Sequence, residues 1–296
     1  MQSDRRSNLS HRTAPTSVTR DPAPQPNRCM MTSTPTSRTP AEQFSREHYT
    51  VNGTKVVALT AGQGPNLVFL HGTGTFPGFD MALEWARSHR VIIPFHANFG
   101  ESGDSDAIAS VDDHVLHYMD FFDQLMLDRF ALAGFSLGGW IAAEFALRQP
   151  ERLAKLVLAA PAGLLVPEAP APNLLALPPE EVPGYLTHDP AVAMRYFPQQ
   201  PDPQFDARLG REIAGLARAL APSPQGNPKL AHWAHRIRMP TLLLWGENDR
   251  LMPVAQARHW QRLLPDCQLA YIPGAGHLLF EENAASAGLV ADFLGS

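Results

Sequence analysis

Cysteine is nearly absent from this 296-residue chain, which has only Cys29 and Cys267. Two thiols supply neither a disulfide framework nor a zinc-ligand spacing, so the small stapled secreted scaffolds are excluded and a reducing compartment is expected. Long hydrophobic runs are missing as well. The longest, from Leu156 to Val166, is broken by Pro161, whereas a membrane-spanning helix needs roughly 18 or more apolar residues. A basic excess is also lacking: 24 Lys and Arg face 29 Asp and Glu, a net charge of −5, which argues against a nucleic-acid surface. The first residues carry arginines without an apolar stretch behind them, so no secretory signal is expected. These absences lead to the expectation of a cytoplasmic protein with no nucleic-acid partner and no membrane span, with monomer and homodimer both open.

What is present is a 44% hydrophobic chain, enough for one large buried core. Residues 1–43 stand apart, with six Arg, three acids and six Pro but almost no large apolar side chain. Such a segment cannot bury enough surface to offset its chain entropy and is expected to be a disordered tail. From Tyr49 onward strands and helices alternate. YTVNGTKVVALTAG (49–62) predicts a hairpin turning at Asn52-Gly53. NLVFLHG (66–72), RVIIPF (90–95), RFALAG (129–134) and KLVLAA (155–160) read as continuous apolar strands. Helical spacing separates them over 79–88, 111–127 and 137–149. Continuous rather than alternating apolar strands indicate an α/β fold with a mostly parallel central sheet flanked by helices on both faces.

That rhythm stops over 161–235, which holds 14 of the 28 prolines and no convincing strand. Helices are expected there at 189–197, 205–220 and 227–236, with Asp189-Pro190 and Asn227-Pro228 as capped starts. The alternation resumes at PTLLLWG (240–246), with helices over 253–265 and 283–295 and a strand at 267–274. The expected organisation is a core of 44–160 and 236–296, with 161–235 inserted as a helical cap over the strand ends.

The stretch GFSLGG (134–139) joins a predicted strand to a predicted helix. Serine on such a turn is forced into a strained backbone conformation, and glycines two before and two after let the chains pass. Its hydroxyl then stands at the carboxyl edge of the sheet, where open α/β sheets place ligands. Serine is a poor nucleophile unless a base removes its proton. His277 follows the last predicted strand and Asp249 the one before, giving nucleophile Ser136, base His277 and orienting acid Asp249. The segment after the strand before it, PAGLLVP (161–167), offers no rival acid. Two N–H donors should face the developing oxyanion: Leu137 at the helix start and Thr73 in His71-Gly72-Thr73-Gly74. His71 is expected to pack that loop. The pairs His114/His117 and His232/His235 lack a third ligand at useful spacing, so no metal is implied, and no cofactor either.

Together LHGTG (70–74), FGESGDS (99–105), GFSLGGW (134–140), LLLWGENDRLMP (242–253) and IPGAGHLLFEEN (272–283) resemble the α/β-hydrolase family from about Tyr49 to the C-terminus. The resemblance implies a serine hydrolase and leaves the substrate open, because this fold hosts many activities. An esterase-like enzyme for a small, largely apolar carboxylic ester, lactone or thioester is the leading expectation. The meta-cleavage C–C hydrolases are the alternative that the resemblance offers. They usually carry Asn where this chain has Phe135 and often Trp where it has Leu278, and their cap arginine suggests Arg195 as a carboxylate contact. Phe135, Arg195 and Leu278 are therefore the candidate substrate contacts. A ligand-binding protein on a hydrolase scaffold is the third reading.

Overall fold

The computed structural model describes residues 43–296. The expected disordered tail therefore lies outside the described residues except for Gln43. An eight-stranded sheet runs in the order β1-β2-β4-β3-β5-β6-β7-β8. The first two strands, β1 (Ser45–Val51) and β2 (Thr54–Ala61), form the predicted hairpin. Asn52 and Gly53 have φ of 48° and 80°, the left-handed pair that a two-residue turn requires. β2 pairs antiparallel with β4 (Arg90–Pro94), and every later pairing is parallel.

The central strands β3 (Asn66–Leu70), β5 (Phe130–Phe135), β6 (Leu153–Ala159) and β7 (Thr241–Gly246) are the continuous apolar runs of the sequence. Helices cover both of their faces, so side chains of either parity are buried. Helix α3 (Leu137–Arg148) is buried from Leu137 to Leu147, which explains why it reads as apolar all round rather than amphipathic. α2 (Val111–Gln124) packs beside it, with Phe122 against Phe130 and Phe145. Ser110 caps α2 by accepting the Asp113 N–H. After β7 come α8 (Ala255–Leu263), the last strand β8 (Cys267–Ile272) and the C-terminal helix α10 (Ala285–Gly295).

Several expected helices are shorter than their sequence pattern. The one expected over 79–88 is a single turn, α1 (Ala82–Trp85), because β4 must begin at Arg90 to pair with Asn66. The one expected over 227–236 is α7 (Leu230–Trp233) followed by a 3-10 turn, Ala234–Arg236. Asn227 does not cap a helix directly: its Nδ2 is committed to the buried Glu144 at 2.6 Å and its Oδ1 accepts the Lys229 N–H.

Between β6 and β7 lie α4 (Val182–Leu186), α5 (Pro190–Met194), α6 (Pro203–Leu220) and α7, with no strand beyond one isolated bridge between Leu164 and Asn227. Asp189 caps α5 as expected, and Asp202 caps α6 by accepting the Gln204 and Phe205 N–H groups. This insertion contacts loops that follow the carboxyl ends of the parallel strands. Arg211 donates to Gly100 O and Ser102 O after β4, and the Leu278 N–H donates to Leu186 O at 2.7 Å.

Candidate active site

Ser136 separates β5 from α3 and has φ 53° and ψ −115°, a conformation that costs a non-glycine residue about 1–3 kcal/mol. The sequence around it leaves the chain no alternative. A Cβ on Gly134 would lie 2.3 Å from Gly138 O, and one on Gly138 would lie 2.1 Å from Leu70 O. Only glycine lets α3 begin this close to β3. The strained turn is fixed by backbone bonds: Ser136 N–H donates to Ala159 O, and Ser136 O accepts from Trp140 N and Ala162 N, each at 3.0 Å.

The structure brings Ser136, His277 and Asp249 together. His277 Nε2 is 2.9 Å from Ser136 Oγ, and His277 Nδ1 is 2.9 Å from Asp249 Oδ2. All three are buried, with exposures of 7%, 2% and 5% in the order Ser, His, Asp. The second oxygen of Asp249 accepts the N–H groups of Leu251 and Met252 at 2.9 and 2.8 Å, which fixes the carboxylate after β7. With Nδ1–H directed at the carboxylate, Nε2 is the nitrogen free to receive a proton from the serine.

The segment after β3 lies directly against the serine: a Cβ on Gly72 would sit 3.4 Å from Ser136 Cβ. Among the described residues the Thr73 N–H donates to no other group. Leu137, the first residue of α3, has no acceptor within its helix. Below this segment two buried imidazoles pin the chain. His71 Nε2 accepts the His96 N–H at 3.0 Å, so its protonated Nδ1 donates to Gly72 O. His96 Nε2 donates to His71 O at 2.8 Å and its Nδ1 accepts from Tyr118. Burial pushes His71 down to about 4 and holds His96 and His114 well below the usual histidine range, so these rings are neutral.

Of the expected substrate contacts, the Phe135 ring lies against His277 with centroids 4.9 Å apart and planes tilted by 38°, and Leu278 is buried. Arg195 makes no hydrogen bond to Ser136, His277 or Asp249 among the described residues. α5 buries Val192 and Ala193, which leaves Arg195 exposed at its end with no ion pair among the described residues.

Three acids were not singled out from the sequence. Glu282, on the short helix α9 (Leu279–Glu282), accepts the Gly276 N–H beside His277 and the Asp189 N–H of the insertion. Glu281 is partly exposed as a residue, but its Oε2 is sealed from solvent without a partner, and burial pushes the carboxyl up to about 7. Glu212, on α6, is 1% exposed. The acidic pair after His277 was visible in HLLFEEN, but nothing local marked Glu212. A cavity of about 800 Å³ elsewhere, lined by Trp140, Glu144, Arg148 and Trp233 among others, contains none of the three central residues.

A buried serine, an imidazole and a fixed carboxylate in hydrogen-bonded series can perform nucleophilic acyl transfer. A sequence model described as the Alpha/beta hydrolase family matches residues 67–291. The pimeloyl-[acyl-carrier protein] methyl ester esterase of Aromatoleum aromaticum is 31% identical over 240 residues, 73% of this chain and 92% of its own length. The 2-hydroxy-6-oxo-2,4-heptadienoate hydrolase of Pseudomonas putida is 29% identical over 262 residues, 79% of this chain and 90% of its own. The crystal structure of naproxen esterase from Bacillus subtilis shares the fold, with a TM-score of 0.69 at 21% identity, covering 85% of this chain and 91% of that one.

Proposed function

The chain belongs to the alpha/beta hydrolase family, and on that premise we propose a serine hydrolase that cleaves a small, largely apolar carboxylic ester, lactone or thioester through an acyl-enzyme on Ser136. One observation carries the reading: His277 Nε2 stands 2.9 Å from the hydroxyl of a serine held at φ 53° by its flanking glycines. In this mechanism His277 takes the Ser136 proton as Oγ attacks the carbonyl carbon. Asp249 stabilises the imidazolium. The carbonyl oxygen becomes an oxyanion held by the N–H groups of Thr73 and Leu137. The tetrahedral intermediate collapses, and His277 gives its proton to the departing alcohol or thiol. Water then enters, His277 deprotonates it, and its attack on the acyl-enzyme releases the acid and restores Ser136. We read residues 161–235 as a cap that closes over this position and shapes the pocket.

The charges near the site favour an uncharged substrate. Arg195, the arginine suited to a carboxylate, is exposed at the end of α5, whereas the acid Glu281 lies within electrostatic reach of His277. A C–C hydrolase acting on a dienone acid is the second reading, supported by the likeness to the Pseudomonas putida hydrolase. The test is turnover of p-nitrophenyl butyrate and of a dienone acid by the wild type and by Ser136→Ala. The substitution should lower kcat on the ester by about 10⁴–10⁶. Unchanged turnover contradicts the mechanism, and faster turnover of the dienone acid than of any ester moves the second reading forward.

A further inference from the structure

Glu212 lies in the middle of α6, and its carboxylate is spent entirely on segments outside its own helix. Oε2 accepts the Thr75 N–H at 3.1 Å, while Oε1 accepts the Thr75 hydroxyl at 2.5 Å and the Gly100 N–H at 3.1 Å. A buried carboxylate without such donors would cost several kcal/mol, so α6 is seated where these three bonds can form. Its neighbour Arg211 holds the same region, donating to Gly100 O, Ser102 O and Asp104. One turn further on, a Cβ on Gly215 would lie 3.1 Å from Asn98 O, so the helix backbone rests directly on the loop after β4. The docking leaves no slack.

Thr75 is two residues beyond Thr73, in a segment with no regular secondary structure and glycines at 72, 74 and 78. Its only bond within the segment is from Gly78 N–H to Thr75 O, at 3.2 Å. On the strand side His71 and His96 fix Gly72; on the far side Glu212 fixes Thr75. Thr73 is suspended between these two anchors. An oxyanion donor must lie within about 2.7–3.1 Å of the developing charge, and a misplacement near 1 Å can cost about 10²-fold.

We propose that Glu212 is a positioning residue for the reaction: by holding Thr75 it sets the direction of the Thr73 N–H, so that the oxyanion site is complete only when α6 of the insertion is docked. This rests on the serine-hydrolase reading above. Glu212 touches no reacting atom, so its loss weakens the transition state more than substrate binding. The rate falls while KM holds.

The experiment compares the wild type with Glu212→Gln, Thr75→Val and the double variant. It measures kcat and KM on p-nitrophenyl butyrate, inhibition by an alkyl trifluoromethyl ketone whose serine adduct carries the oxyanion, and Tm. Glu212→Gln should lower kcat by about 10–100-fold, leave KM within about threefold, and weaken ketone binding by the factor lost in kcat. The double variant should lose no more than the worse single one, because both act through the same bonds. Ketone affinity and kcat within about twofold of wild type, or single losses that multiply, overturn the proposal. If Glu212→Gln yields no folded protein, Thr75→Val decides alone: weaker ketone binding at unchanged Tm supports the clamp, and unchanged affinity overturns it. A wild type that neither turns over esters nor binds the ketone removes the hydrolase reading and the clamp with it. An active wild type with an indifferent Glu212→Gln removes the clamp alone.

Discussion

The turn around Ser136 and the loop around Thr73 meet at the same reacting position, yet they keep their shapes by different means. The serine turn is enforced by the close packing of β5, α3 and β3. A Cβ on Gly134 would strike Gly138 O at 2.3 Å and one on Gly138 would strike Leu70 O at 2.1 Å, so steric contact between closely packed backbones dictates the strained geometry. The Thr73 loop has one internal backbone bond, from Gly78 N–H to Thr75 O, and is otherwise held by hydrogen bonds to residues far away in sequence: His96 after β4, Tyr118 on α2 and Glu212 on α6. The backbone of the serine is set by steric packing around two glycines, whereas that of Thr73 is set by side-chain hydrogen bonds on either side of it. The two should therefore respond differently to substitution and to pH.

The largest effect beyond loss of Ser136, His277 or Asp249 themselves should come from crowding the serine turn. Gly138→Ala puts a methyl group against Leu70 O and His71 O, both backbone atoms that cannot rotate away. It should lower kcat by about 10²-fold and Tm by roughly 5–10 °C, read by steady-state kinetics and calorimetry. A variant with both values near wild type would show that the turn is less constrained than its contacts indicate.

The loop side should be the acid-sensitive one. His71, pushed from 6.5 down to about 4, stays neutral in the fold, while the unfolded chain takes up protons below about pH 6.5. Its contribution is therefore intact above pH 6.5 and lost as pH falls through about 4, a cost of about 3 kcal/mol at the acid limit. His96 and His114 act in the same direction. Glu281 opposes them: with its carboxyl raised from 4.5 to about 7, it favours the fold below pH 4.5 and loses that contribution as pH rises through about 7. Three buried imidazoles against one carboxyl set the sign, so Tm should fall steadily between pH 7 and 4.5. A flat or rising Tm over that range would contradict the neutral-imidazole account.

The smallest effect serves as the contrast to Gly138. Gly210 is exposed within α6, and a Cβ there meets nothing within 4 Å. Gly210→Ala should raise Tm by about 1–3 °C, because alanine loses less backbone entropy on entering a helix. Destabilisation there would mean that α6 is strained in a way its contacts do not reveal.

This contrast also explains how much was legible in the sequence. The parallel strands declared themselves as apolar runs, and the hairpin through Asn52-Gly53, because burial on two faces and left-handed turns leave local marks. Ser136, Asp249 and His277 could be singled out because each follows a strand and sits in a short distinctive segment. Helix lengths were overread at 79–88 and 227–236, where strand pairing and a side-chain commitment cut short a helical pattern. Glu212 was invisible for a deeper reason. In REIAGLARAL it looks like any acid on an amphipathic helix, and only docking of α6 reveals that it faces inward. Arg195 was suggested by a resemblance rather than by its own surroundings, and it is exposed at the end of α5.

The most direct test of the central claim is to treat the folded protein with a fluorophosphonate probe and locate the adduct by mass spectrometry. The account predicts a single adduct on Ser136, absent from His277→Ala. A folded wild type that takes no label at Ser136, or takes it equally without His277, would contradict an activated serine nucleophile and return the protein to a ligand-binding reading.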